Sequence, residues 1–157
     1  MVKDALKVLL DTNLKLSRHF GVKEFYDSTT ATLHNILNCP HTYVKLMCVL
    51  SNQQKLADIL EIVRAANGSV PIYITSGYRC AVLNEKVAGD PLSKHMDGAA
   101  VDFTAKDYYH LVETMEWLEL KDVYWYHNDA KKYIHLQLNY YKKPDPTVLP
   151  KSKRLQK

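Results

Sequence analysis

The chain has 157 residues, of which 46% are hydrophobic and 24% are charged. This composition is typical of one globular domain and excludes a fibrous or wholly disordered protein. Charged residues interrupt every apolar stretch before it reaches the roughly 20 residues that a membrane-spanning helix needs, so no transmembrane segment is predicted. The first eleven residues are too charged for a secretory signal peptide, and we therefore expect no signal peptide and synthesis in the cytoplasm.

The net charge of +4 is concentrated near the C-terminus. Residues 142–157 include six basic residues and one acid, so residues 1–141 are close to neutral. We predict a single domain over 1–141, with mixed helix and loop over 1–40, and expect no nucleic-acid partner. The basic tail contains three prolines and is predicted to be extended or disordered. It either solubilises the chain or attracts an anionic polymer of a cell wall or membrane surface.

The first strongly periodic segment predicts a helix that packs on a core. Its apolar residues recur at i, i+3, i+4 and i+7 and are Leu56, Ile59, Leu60 and Val63. Asn67 and Gly68 supply the end of this helix. Its start lies either at Ser51 or at the turn around Pro40.

A short β-branched and aromatic run over 70–75 predicts a strand that leads directly into residues 76–79, Ser-Gly-Tyr-Arg. Arg79 therefore lies at a strand end, where functional side chains are commonly displayed. A short helix is predicted over 80–87, and the turn residues over 88–91 end it.

His95 is expected on the loop that follows this turn. Residues 99–103 then predict a second strand, whose only charged residue is Asp102. An aspartate on an otherwise apolar strand is costly to bury without a metal or a charged partner. A helix is predicted over 106–120 from its inward-facing apolar residues.

Two strands, over 122–127 and 133–138, are predicted to end the domain as a hairpin. In the last strand, the period of two places Tyr133, His135 and Gln137 on one face and the apolar residues between them on the other. His135 can therefore face a cleft while its neighbours lie in the core.

His95, Asp102 and His135 have the side chains of an open zinc site. Two neutral imidazoles and one carboxylate can hold Zn²⁺ and leave the fourth tetrahedral position free for water, as in catalytic zinc sites. A structural zinc site would be closed and is usually rich in cysteine.

The motifs and their order resemble the zinc D-Ala-D-Ala carboxypeptidase family, the M15 peptidases, most closely the short form of phages and bacteria. The resemblance covers roughly residues 25–140. It rests on SGYR at 76–79, LN at 83–84, VAG at 87–89, SKHMDGAAVDF at 93–103 and IH at 134–135. The family shares its fold with the hedgehog signalling domain. The resemblance implies an α+β fold with a small antiparallel sheet packed with helices and one zinc ion in a cleft on the sheet.

The same resemblance implies roles for the residues around the metal. Three residues, His95, Asp102 and His135, are implied as its ligands. Arg79 is implied to bind substrate or to stabilise charge that develops on the attacked carbonyl. A structural ion pair is the alternative for this arginine.

Two further assignments concern Ser93 and Gln137, which lie two residues from expected ligands. Ser93 is expected to support the metal loop by hydrogen bonding and to contact substrate. Gln137 is expected to line the cleft and contact substrate.

The general base is the point at which this chain departs from the family pattern. Carboxypeptidase-type relatives place a glutamate three residues before the late histidine, where this chain has Lys132. Asp129, six residues before His135, has a spacing similar to that of the acid in the hedgehog domain and could accept a proton from zinc-bound water. The alternative base is His127. Asp129 could also be an ordinary turn residue, since Asn-Asp pairs favour hairpin loops.

The function implied by the resemblance is zinc-dependent hydrolysis of an amide bond in a peptidoglycan stem or cross-link peptide. The enzyme would be a D-Ala-type carboxypeptidase or endopeptidase, would be a monomer and would act on the bacterial cell wall as a phage-type lysis enzyme does. One alternative is a zinc-binding but non-hydrolytic recognition module of the same fold. Another is an accessory protein that binds nucleic acid or membrane through the basic tail.

Overall fold

The structure is a computed structural model that describes residues 1–139. These residues form the predicted α+β fold, with six α-helices, one 3-10 helix and four strands. The elements are α1 Val2–Asp11, α2 Val22–Tyr26, α3 Thr29–Leu33, α4 Tyr43–Ala66, β1 Ile72–Ser76, α5 Ala81–Lys86, the 3-10 helix Lys94–Asp97, β2 Ala100–Ala105, α6 Tyr108–Trp117, β3 Val123–Asn128 and β4 Tyr133–Leu138. The extended or disordered tail predicted over 142–157 lies outside the described residues.

The four strands form one antiparallel sheet in the order β1-β2-β4-β3. Its two faces differ as the period of two in β4 predicts. On one face, Phe103 of β2 pairs with Ile134 of β4, and both side chains are fully buried in the core. On the other face, Asp102 pairs with His135. Helix α4 contacts β4 and helix α6 contacts β2, so the apolar face lies inward and the polar face is left for a site.

Helix α4 is the longest element and carries much of the core. It begins after Thr42, whose side chain accepts a hydrogen bond from the backbone N–H of Lys45 at 3.1 Å and so caps the helix. The turn near Pro40 therefore marks the start, and Ser51 lies inside the helix. The predicted apolar stripe faces the core, where Leu60 is fully buried.

Residues 1–40 form three short helices that are joined by turns. Helices α1 and α2 contact α4, α2 also contacts β1, and α3 contacts α5. Phe20 and Phe25 supply the largest buried side chains of this region. Glu61 of α4 holds the turn over residues 17–19, between α1 and α2. Its carboxylate accepts hydrogen bonds from the hydroxyl of Ser17 and from the backbone and ring of His19, each at 2.7 Å. The N-terminal region is thus tied to the helix that supports the sheet.

Within residues 1–139, no helix has the length and apolar character required to cross a lipid bilayer.

Candidate metal centre

Asp102 and His135 meet because their strands pair directly. In an antiparallel ladder, residues that lie opposite each other project to the same face. Asp102 of β2 and His135 of β4 are such a pair, and their side chains touch, with Oδ1 of Asp102 2.7 Å from Nδ1 of His135. The sheet register alone therefore brings together two of the predicted ligands.

His95 comes from the 3-10 helix, where the sequence had suggested a loop. Ser93 caps this helix by accepting a hydrogen bond from the backbone N–H of His95 at 3.4 Å. Gly98 ends it with a φ of +63°, and a Cβ at this position would come within 2.7 Å of Val49 on α4. Glycine thus allows the backbone both to turn and to approach α4 closely, and this fixes the short helix against the core.

The ring of His95 is oriented for metal binding. Its Nδ1–H donates a hydrogen bond to the carbonyl oxygen of Gly77 at 2.7 Å. A proton on Nδ1 leaves Nε2 with a free lone pair, and a metal-ligating histidine is normally held in this way through its other nitrogen. Nε2 is buried, has no hydrogen-bond partner within the described residues 1–139 and lies 3.3 Å from Oδ1 of Asp102. A buried nitrogen of this kind is costly unless it binds something, and a metal ion would satisfy it.

The three side chains fit one metal ion. Their ligand atoms all lie within 4.8 Å of one another. Tetrahedral ligands at about 2.1 Å from zinc are about 3.4 Å apart, which matches the 3.3 Å between His95 and Asp102. Nδ1 of His135 lies 2.7 Å from the same carboxylate oxygen, so the three side chains converge on one point that could hold an ion. Three protein ligands beside an open cleft are typical of a catalytic zinc site.

The electrostatics of the cluster keep Asp102 ionised. Burial alone would raise the pKa of its carboxyl, but the hydrogen bond from His135 and the proximity of His95 outweigh it and hold the pKa below its usual range. An ionised carboxylate between two imidazoles is the form that binds a divalent cation.

The cluster opens onto a polar cleft of about 710 Å³, a volume suited to a short peptide. The three residues assigned from sequence to substrate contacts, Arg79, Ser93 and Gln137, all line it. Lys94 and Lys131 line it as well. With Arg79 they supply three positive charges against the two carboxylates of Asp90 and Asp102, so the lining has a small positive excess that favours an acidic substrate segment.

Arg79 is held rigidly beside the cluster. The amide of Asn38 binds both flanking peptide groups, donating to the carbonyl of Tyr78 and accepting from the N–H of Cys80, each at 2.8 Å. The backbone N–H of Arg79 donates to the carbonyl of His95 at 3.1 Å. Burial lowers the pKa of its guanidinium, and nearby Asp102 opposes this shift. Arginine stays protonated in either case, and its Nε is buried without a hydrogen-bond partner among residues 1–139.

The structure does not bring the two residues expected to transfer the proton, Asp129 and His127, to the cluster. His127 pairs with Ile134 and therefore projects to the core face of the sheet, whereas His135 projects to the cleft face. Asp129 accepts hydrogen bonds from Nδ1 of His127 at 3.0 Å and from the hydroxyl of Tyr108 on α6 at 2.9 Å. Neither residue is among those that line the cleft in the described part of the chain.

His127 lies away from the cluster because the loop of the β3–β4 hairpin is one residue shorter than the sequence predicts. A strand that ended at residue 127 would put His127 opposite Tyr133 and on the face of His135. In the structure β3 extends to Asn128, which pairs with Tyr133, so the loop is one residue shorter. A shift of one residue in register moves every side chain of a strand to the other face.

Tyr126 is a cleft residue that the sequence did not predict. It pairs with His135 across β3 and β4, and its ring stacks on the imidazole with 4.8 Å between centroids and 22° between planes. A four-residue loop over 129–132 together with the alternation of side chains in the strands predicts that Tyr126 and His135 share a face. This contact packs an aromatic ring against the imidazole of a predicted ligand.

The fold and the site together define a class of protein. An antiparallel sheet that presents Asp102 and His135 beside His95 of the 3-10 helix, at ligand spacing and in an open polar cleft, is typical of a metal-dependent hydrolase. The family model for peptidase M15 matches residues 18–137, and the chain belongs to the peptidase M15 family. Members of this family are in general zinc-dependent peptidases. No curated protein and no solved structure matches the chain.

Proposed function

We propose that this M15 family member hydrolyses an amide bond in the stem or cross-link peptides of peptidoglycan, as a D-Ala-type carboxypeptidase or endopeptidase. The observation that carries the proposal is the buried, unpartnered Nε2 of His95, which faces Asp102 at the floor of the polar cleft. The cationic lining suits the free carboxylates of such peptides. A phage-type lysis enzyme that acts on the bacterial cell wall fits this substrate.

The proposed ligands of one zinc ion are His95, Asp102 and His135. The ion, when bound, lowers the pKa of a bound water and polarises the scissile carbonyl. All three ligands come from one chain, so the active unit is proposed to be a monomer.

Arg79 is proposed to bind the substrate or the developing oxyanion. Its rigid backbone and its place in the cleft lining allow the guanidinium to act without reorganising, which is the basis of electrostatic stabilisation of a transition state. Ser93 is proposed to fix the backbone of His95 and to border the substrate.

One observation favours a second function. Apart from Asp102, the described residues that line the cleft include a single carboxylate, the exposed Asp90. Asp129 and His127, proposed from sequence as proton shuttles, lie at the other face. A cleft that holds a metal and a peptide but lacks a placed general base would serve recognition without cleavage.

Mass spectrometry of muropeptides after incubation with the zinc-loaded protein separates the two functions. A loss of mass that identifies one amide bond, and that disappears on chelation and in His95→Ala, supports hydrolysis. The exposed histidine variant His110→Ala is the matched control and should cleave as the wild type does. Tight zinc-dependent peptide binding without any change of mass on any wall type would support the recognition function and refute the enzyme.

The same assay assigns the proton acceptor. Asp90→Asn and Asp129→Asn remove the two candidate carboxylates without changing their size. A general base contributes about 100-fold or more to the rate, so the variant that loses this factor identifies it.

A further inference from the structure

Both ring nitrogens of His135 face oxygen atoms. Nδ1 lies 2.7 Å from Oδ1 of Asp102, and Nε2 lies 3.2 Å from Oε1 of Gln137. A neutral imidazole has one N–H and can donate to only one of these acceptors. Both contacts are satisfied when the single proton of the neutral ring lies on Nε2 and a metal ion binds the lone pair of Nδ1.

In that state Gln137 decides which nitrogen of His135 is free to bind the ion. Its Oε1 holds the proton on Nε2 and leaves the lone pair of Nδ1 directed at Asp102 and the metal. His95 is held in the same way, with the carbonyl of Gly77 in the place of the amide oxygen. Partners of this kind orient ligating histidines and raise their basicity.

The sheet places Gln137 for this task. It lies two residues after His135 on β4, so both side chains project to the same face. Its neighbours across the ladders are Ala100 on β2 and Tyr124 on β3. The small side chain of Ala100 leaves Gln137 room beside the cluster, and Gln137 is half-buried at the cleft wall.

We propose that Gln137 is a positioning residue for the metal ligand His135, rather than a substrate contact. The inference rests on the proposed metal site and does not depend on which peptide is cleaved or on whether any is cleaved. It predicts that Gln137 affects the affinity for zinc itself.

The test measures zinc affinity of the full chain by competition with a chromogenic chelator. Gln137→Met keeps the length of the side chain and removes the acceptor, and we expect zinc affinity to fall about 10- to 100-fold. Gln137→Glu keeps an acceptor and should retain or increase the affinity. The control is Thr104→Val, a polar residue two positions beyond Asp102 on the same face of β2, which should bind zinc as the wild type does.

The outcomes are distinguishable. Unchanged zinc affinity in a folded Gln137→Met variant would overturn the proposal, and a higher KM with unchanged zinc affinity would make Gln137 a substrate contact. If Gln137→Met does not fold, Gln137→Glu tests the proposal instead. A tenfold lower zinc affinity of Gln137→Glu would contradict the role of Gln137 as a positioning residue for His135. A wild-type chain that binds no zinc would refute the metal site as well, whereas zinc binding without hydrolysis would refute only the proposed enzyme.

Discussion

The carbonyl oxygen of Gly77 accepts a hydrogen bond from Nδ1 of His95 at 2.7 Å. This bond joins the end of β1 to the 3-10 helix and sets the proton of a proposed ligand. It requires close packing, since a Cβ on Gly77 would lie 2.3 Å from the carbonyl oxygen of Phe25. The glycine of the Ser-Gly-Tyr-Arg motif is therefore needed for the approach of two backbones, and the site depends on it.

Gly77→Ala should destabilise the fold by roughly 2 kcal/mol or more, because the backbone of α2 or β1 must move to relieve the contact. The measurement is urea unfolding followed by circular dichroism. Gly21→Ala is the control, since its Cβ would meet nothing closer than 3.4 Å. Equal stability of Gly77→Ala and the wild type would contradict the packing described.

Arg79→Ala should lower kcat/KM for the cleaved muropeptide by about 100- to 1,000-fold while zinc affinity stays the same. The guanidinium lies in the cleft and is not a metal ligand, so its loss removes stabilisation of substrate or oxyanion only. Steady-state kinetics and zinc competition measure the two effects separately. Arg64→Ala, in the last turn of α4, should leave both unchanged. A loss of zinc in Arg79→Ala would instead indicate the structural role.

Zinc should stabilise the folded chain. An ion that binds only the native state at 100 times its Kd contributes about 2.7 kcal/mol. For a chain of this size, that raises Tm by roughly 5 to 10 °C, and a chelator should reverse the rise. Differential scanning calorimetry of His95→Ala should show no such shift, whereas His110→Ala should behave as the wild type does. The same shift in His95→Ala would place the ion elsewhere.

Glu61→Gln should cost about 1 to 2 kcal/mol at pH 7, because the carboxylate that binds the turn at Ser17 and His19 is lost. Burial alone would raise the pKa of Glu61, but hydrogen bonds from His19 and Ser17 lower it below its ordinary value of 4.5. A carboxyl group whose pKa is lower in the folded chain than in the unfolded chain stabilises the fold at pH values above its unfolded-state pKa. The difference from the wild type should therefore shrink as the pH falls from about 4.5 through the folded pKa.

Chemical denaturation at a series of pH values measures this difference. Glu113→Gln is the control, since its carboxylate is exposed and its distant contact with His110, at 3.9 Å, should contribute little at any pH. A difference between Glu61→Gln and the wild type that stays constant down to pH 3 would show that the charge of Glu61 is not involved.

The sequence predicted much of this fold because periodicity carries local information. The alternation in β4 assigned His135 to the open face and Ile134 to the core, and the structure agrees. The apolar stripe of α4 located its buried face. The ends of elements were less certain, and α4 begins nearer Pro40 than Ser51 because the cap of Thr42 lies outside the periodic stretch.

The types of the candidate ligands and their order along the chain were also determined by the sequence alone. Two histidines and an aspartate are sufficient to suggest zinc, since coordination chemistry depends on the side chains. Their meeting could not be derived from the sequence, because it depends on the pairing of Asp102 with His135 and on the packing of Gly98 against Val49.

Only the tertiary structure decided which side chains of the β3–β4 hairpin reach the site. One residue of register puts Tyr126 against His135 and turns His127 to the core face, and no local pattern in these mixed strands distinguishes the two registers. The choice between the two nitrogens of each histidine is likewise made by partners distant in sequence, such as Gly77 for His95. Side-chain chemistry is a property of the residue, whereas direction and proton position are properties of the packed sheet.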